Sequence, residues 1–180
     1  VRDAVPLGSP GLTRLLDAIG ARIDTGVGSP ALAQVLARSG VSYLVVSNDL
    51  DPRLTGAPRA VLVHQALNRS PGLERVASFG PTVGGNDTRA LVSDDGLNVG
   101  YPAVEVFAVA GSAGPVSSLQ TDGTWVVSGG PEALFSLGER GLLADHATIL
   151  AGDGPGGPTP RSAVTDSLRR REITFGSVRD

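Results

Sequence analysis

Cysteine and methionine are absent from the 180 residues, and lysine is too: all 15 basic positions are arginine. Without cysteine there can be no disulfide, no thiol nucleophile and no cysteine-ligated zinc. The compartment stays open, because a cysteine-free domain suits either side of a membrane. Aromatic residues are scarce at 4%, and charged residues reach only 18%. The formal net charge of −3 lacks the positive excess that binding to a phosphate backbone requires, so no nucleic-acid partner is expected. No apolar run approaches the roughly 18 residues that cross a bilayer. The longest, at residues 41–46, already contains Ser42. No signal-peptide pattern is visible. Position 1 is Val, and a strand-like alternation continues through residues 171–180, whereas natural termini usually fray. The expectation is therefore one soluble α/β module, residues 1–180, cut from a larger protein.

Hydrophobic residues make up 41%, enough for a core, while 25 glycines and 13 prolines predict long loops. Ser9-Pro10 and Ser29-Pro30 each read as an N-cap followed by proline in the first helical turn. Helical spacing follows both, in Leu12, Leu15, Leu16, Ile19 and Ile23, then in Leu32, Val35 and Leu36. Thr25-Gly26 stops the first helix, and Gly40 supplies a left-handed cap to the second. Residues 41–46 read as a buried strand, apolar nearly throughout. Residues 59–68 read as a helix closed by Ser70-Pro71-Gly72. Residues 73–79 and 103–110 read as two strands paired antiparallel, joined by a long polar loop over residues 81–100. Residues 111–123 resemble a linker and mark a lobe division. Beyond it, residues 124–128 and 148–151 read as buried strands, with a helix starting at Gly129-Gly130-Pro131-Glu132 between them. A Gly/Pro loop at 152–160, a helix at 162–170 and a strand at 172–178 complete the reading. The predicted fold is α/β: a small mixed, partly parallel sheet flanked by helices, Rossmann-like, with an antiparallel strand pair and long Gly/Pro-rich loops.

Three turns carry candidate chemistry, all at carboxyl ends of predicted strands, where α/β sheets place ligands. Asp49 and Asp51 could share a hard cation, with Asn48 as a further oxygen donor. The structural alternative is an Asx-turn into Pro52, and it is the stronger reading. Ser128, Gly129 and Gly130 join a strand to a helix, where backbone N–H groups can cradle an anion. No P-loop lysine and no GxGxxG accompany them, and a tight turn explains them better. Asp153, between glycines, is an ordinary turn residue or the fourth group of a pocket. Converging at one sheet edge, these residues would offer hydroxyl, amide and carboxylate groups suited to a sugar. His64 and His146 have no motif partner, so a solvated or capping role is expected for each. Arg169-Arg170-Arg171 fits a helix C-terminus, and Asn86-Asp87-Thr88 matches a glycosylation sequon. No catalytic set and no metal site emerge.

Four stretches together resemble one family: LARSGVSYLVVSNDLD at residues 36–51, YPAVEVF at 101–107, SGGPEAL at 128–134, and TDSLRRRE at 165–172 with Phe175-Gly176 after it. They look like the large actinobacterial membrane α-(1→3)-arabinofuranosyltransferases of cell-wall arabinan synthesis, AftD-type enzymes of the GT-C class. The resemblance covers most of the chain and points to the region after the transmembrane helices. It implies a polytopic parent that transfers arabinofuranose from a decaprenyl-phosphate donor to arabinan. The family's catalytic carboxylate lies in an early extracytoplasmic loop that these residues do not include, so no catalytic residue carries over, and Asp49 and Asp51 are not given that role. The implied location is the extracytoplasmic face of the plasma membrane. The implied partners are the transmembrane domain of the same polypeptide and arabinan glycan, and no cofactor is expected here. Two other classes stay open: a free-standing carbohydrate-binding or scaffolding domain, and a nucleotide- or phosphate-binding α/β enzyme.

Overall fold

A computed structural model describes residues 10–85, 99–112, 118, 120–143, 146–151, 153 and 161–166. The chain divides into two compact units, one of Ala21–Pro115 and one of Val1–Gly20 with Val116–Asp180. Helix α1, Pro10–Asp24, supplies residues to both.

The Ala21–Pro115 unit holds α2 (Leu32–Arg38), β1 (Tyr43–Ser47), α3 (Pro52–Thr55), α4 (Ala60–Asn68), β2 (Leu73–Val83) and β3 (Tyr101–Val109). Its sheet has the order β1-β3-β2, and both pairings are antiparallel. Gly40 ends α2 as the sequence indicates. At φ 77° it donates to Ala37 O at 3.0 Å, while Val41 N donates to Leu36 O at 3.0 Å, the two bonds of a Schellman turn. Ser29 works differently from a helix N-cap: its hydroxyl accepts from Ala31 N at 3.2 Å in the preceding turn, and its own N–H donates to Ser70 Oγ at 3.0 Å. That close approach of two chain segments explains Gly28, where a Cβ would collide with the Arg69 backbone. Leu32, Leu36, Val61 and Leu67 from the helices form the core with Phe107 and Val109 of β3.

Three expectations change here. Residues 41–46 were expected to form a buried strand, yet β1 is an antiparallel edge strand with Tyr43 63% and Val45 65% exposed. Continuous hydrophobicity does not separate a buried strand from one with an uncovered outer face. The Rossmann-like description therefore does not fit this sheet. The polar loop also begins later than expected. β2 runs to Val83 through Gly80-Pro81, and its register shifts between Phe79 and Thr82 let the proline sit at an irregularity. Pro102, in central strand β3, pairs with Thr82 just beyond the same irregularity, so the missing N–H falls where β2 and β3 are already out of regular register.

The second unit holds β4 (Gln120–Ser128), α5 (Glu132–Glu139), β5 (His146–Leu150) and β6 (Arg161–Val164), ordered β5-β4-β6 with both pairings parallel. Val127 on the central strand is fully buried, and Leu15, Ile19, Phe135, Leu137 and Leu143 join the same core. The helix expected from Ser162 starts no earlier than Asp166, because residues 161–164 pair with β4 instead. Four residues with two apolar side chains give too short an alternation to read as a strand; the partner strand decides. The expected strand at 172–178, the arginine run at 169–171 and the sequon at 86–88 lie outside the described residues.

Candidate functional site

Alternation along β3 puts Ala103, Glu105, Phe107 and Val109 on one buried face, so a carboxylate sits in an otherwise apolar row. Glu105 is fully buried, and an isolated ionised carboxylate there would be very unfavourable. Three donors converge on it. Arg75 Nη1, from β2, lies 2.8 Å from Oε1. On Oε2, Asn48 Nδ2 lies at 2.9 Å and His64 Nε2 at 2.9 Å. Asn48, just past the end of β1, donates its other amide hydrogen to Pro102 O at 2.7 Å, and its backbone N–H to Ala103 O at 2.7 Å. Its Oδ1 stands 3.1 Å from His64 Nε2. Both oxygens facing Nε2 are acceptors, so that nitrogen carries the ring hydrogen.

His64 reaches this position from α4, where helical spacing aligns it with Val61 and Leu67 on the inward face. Its ring stacks parallel on Tyr101, centroids 3.7 Å apart, with the Phe107 ring edge-on at 6.1 Å. Burial holds the imidazole below its ordinary value of 6.5. The Glu105 carboxylate pulls the other way, and the Arg75 guanidinium reinforces the lowering. Tyr101 is raised above 10.0, first by burial and then by Glu105. The solvated or capping role expected of His64 is therefore wrong. The histidine is 5% exposed and part of a network linking α4 to β2, to β3 and to the residue that follows β1.

A cleft of about 880 Å³ opens beside this network. Residues 44–51 line it consecutively, with residues 57–61 before and within α4 opposite. Asn48, Asp49 and Asp51 all border it, as three of the candidate residues that the sequence singled out. The Asn48 amide, however, is engaged inward at every polar atom. Asp51 opens a short turn of helix: its carbonyl accepts from Leu54 N at 3.1 Å and from Thr55 Oγ1 at 2.8 Å. Asp49 is exposed. The walls are largely aliphatic, with Ile23, Val46, Val61 and Leu67 among them. Among the described residues, no group of three or more metal-ligating side chains comes together.

Ser128, Gly129, Gly130 and Asp153 belong to the other unit, at the carboxyl edge of the parallel sheet. Ser128 O accepts from Thr165 N at 3.0 Å and Thr165 Oγ1 at 3.1 Å, and Asp153 N donates to Leu150 O at 3.0 Å. The glycine pair is a poor anion cradle. The Glu132 carboxylate folds back over Gly130, filling with negative charge the space where a Cβ would project. Pro131, which has no N–H to offer, occupies the cap of α5.

Comparison with known proteins decides the family. The family described as "Alpha-(1->3)-arabinofuranosyltransferase, N-terminal GT-C domain" matches residues 1–180. The chain belongs to this family. Among arabinofuranosyltransferases, an alpha-(1->3)-arabinofuranosyltransferase of Mycolicibacterium smegmatis is 42% identical over 195 residues, covering 100% of this chain and 14% of the relative. One from Mycobacterium tuberculosis is 39% identical over 186 residues, covering 99% and 13%. The single-particle cryo-EM structure of arabinofuranosyltransferase AftD from Mycobacteria aligns with a TM-score of 0.72 at 37% identity, over 93% of this chain and 13% of that one. A mutant of the same protein gives 0.74 over 93% and 14%. The chain thus spans about one-seventh of the length of its arabinofuranosyltransferase relatives. Among the described residues, no helix is long and apolar enough to cross a membrane.

Proposed function

We propose that this chain is a non-catalytic, extracytoplasmic module of a membrane arabinofuranosyltransferase of cell-wall arabinan synthesis, and that it braces the membrane domain of the same polypeptide. The observation that carries the reading is the whole-chain family match combined with the inward engagement of the best candidate site. A catalytic carboxylate must face its substrate; Glu105, which a built network holds, faces the core. The decaprenyl-phosphate arabinofuranose donor then acts elsewhere in the enzyme, and this module needs no cofactor.

Positioning of an arabinan acceptor is the second role open to such a module, and Asp49 at the cleft rim is the group that favours it. The phosphate-binding alternative loses ground because Glu132 occupies the glycine turn.

Excision of residues 1–180 from the full-length enzyme tests the proposal, assayed with donor lipid and an arabinan acceptor. A bracing module predicts a large loss of folded enzyme and of activity, while Asp49→Ala and Asp51→Ala leave kcat within about twofold. Unchanged activity after excision would overturn bracing. A kcat collapse in either aspartate variant would overturn the non-catalytic assignment. A raised acceptor KM at constant kcat in Asp49→Ala would establish acceptor positioning.

A further inference from the structure

The two edges of the antiparallel sheet are built differently. β2 is guarded: it carries Glu74 and Arg75, two register irregularities and Gly80-Pro81, all devices that discourage another strand from pairing. β1 carries none. Its five residues, Tyr-Leu-Val-Val-Ser, contain no charge, no proline and no bulge, and Tyr43, Val45 and Val46 favour strands.

The register shows which groups of β1 are unused. Val109 N donates to Ser42 O at 2.9 Å, and Asn48 N donates to Ala103 O at 2.7 Å. In an antiparallel ladder the bonded positions alternate, so the even-numbered residues of β1 face β3. The N–H and C=O groups of Tyr43, Val45 and Ser47 therefore point away from the sheet, and among the described residues no strand pairs with them. The same residues expose their side chains on the outer face, Tyr43 by 63% and Val45 by 65%. Residues 44–51 line the aliphatic cleft, and Val45 and Ser47, whose main-chain groups point outward, are among them.

We infer that the free edge of β1 accepts an extended segment of the same polypeptide from outside residues 1–180, which adds a fourth strand to the sheet. The inference rests on the reading of the chain as one module of a longer enzyme and names the surface through which the module is held. Main-chain bonds to Tyr43, Val45 and Ser47 supply the affinity, and alternate apolar side chains of the incoming strand enter the cleft toward Val46 and Val61. An intramolecular occupant is favoured because the relatives carry about six-sevenths of their length outside the matched region. A tethered segment also pays only loop closure, which grows slowly with length.

Residue-resolved hydrogen exchange on the full-length enzyme tests this. The outward amides of Tyr43, Val45 and Ser47 should exchange as slowly as the inward amides of Leu44 and Val46. Outward amides that exchange roughly a hundredfold faster than the inward ones would overturn the inference. Val45→Pro deletes an outward N–H that β3 does not use. It should deprotect Tyr43 and Ser47 and spare Leu44 and Val46, whereas Val45→Thr should change neither set. A photo-crosslinking phenylalanine analogue at position 45 of the purified enzyme identifies the occupant. Capture of a peptide outside residues 1–180 of the same molecule supports it; capture of a second copy, of residues 86–98, or of nothing overturns it. The module reading fails on a separate observation, a reading frame that supplies no further polypeptide.

Discussion

The two units answer the same problem, how to centre a three-stranded sheet, in opposite ways. The parallel sheet places Val127 on its middle strand, fully buried among aliphatic and aromatic neighbours. The antiparallel sheet places Glu105 at the corresponding central position, equally buried, and surrounds it with an arginine, a histidine and an amide. Apolar packing is tolerant, since any side chain of suitable volume fills it. A buried charge is exacting, because each partner must arrive at hydrogen-bond distance or the desolvation penalty is left unmet. The antiparallel unit is thus specified by a few contacts from distant parts of the chain, and the parallel unit by shape.

The largest test of that contrast is Glu105→Ala. Removing the acceptor leaves a buried histidine and amide without it, and such losses run to about 3–5 kcal/mol. Arg75 is 58% exposed and can rehydrate, which places the expectation near the lower end. Urea unfolding measures it, and a loss below about 1 kcal/mol would mean the network contributes little. Val127→Ala is the counterpart. Two buried methyl equivalents predict a loss of about 1.5–2 kcal/mol, with the effect confined to the parallel unit in hydrogen exchange.

A smaller effect is a pH slope that His64 gives the antiparallel unit. The His64 pKa is lowered in the fold, so the unfolded chain binds the proton more readily. Stability should be level above about 6.5 as far as His64 is concerned, and should fall as pH drops through 6.5 toward the folded value. His64→Gln should remove that slope, and thermal melts between pH 5 and 8 would show whether it does. The smallest expected effect belongs to the parallel unit's own ion pair, Arg14 Nε to Glu132 Oε2 at 3.2 Å. Both groups reach solvent, so Arg14→Ala should change stability by no more than about 1 kcal/mol in a chemical melt.

Much of the local structure was legible in the sequence. The Gly40 cap, the α1 and α4 periodicities and the antiparallel pairing of β2 with β3 all follow from local pattern. The parallel component was also foreseen, though not its separation into a second sheet. The network was missed because its members sit at 48, 64, 75 and 105, and no local pattern joins them. Two signals were available. Glu105 falls in register with Phe107 and Val109 in an alternating strand, and His64 shares a helix face with Val61 and Leu67. A polar residue on an apolar face asks for partners, and two such residues ask for each other. β6 was illegible for another reason: its four residues become a strand only because β4 offers them a ladder.

The aromatic residues are shared out between the units in a way that makes each optically distinct. The single tryptophan, Trp125, lies on β4 with the Arg161 guanidinium 5.9 Å from its ring centre. Both tyrosines, Tyr43 and Tyr101, lie in the antiparallel unit. Indole emission therefore watches one unit, while tyrosine absorbance watches the other. One unlabelled sample carries two built-in reporters, and a denaturation run recorded in both channels would reveal whether the halves melt together or in turn.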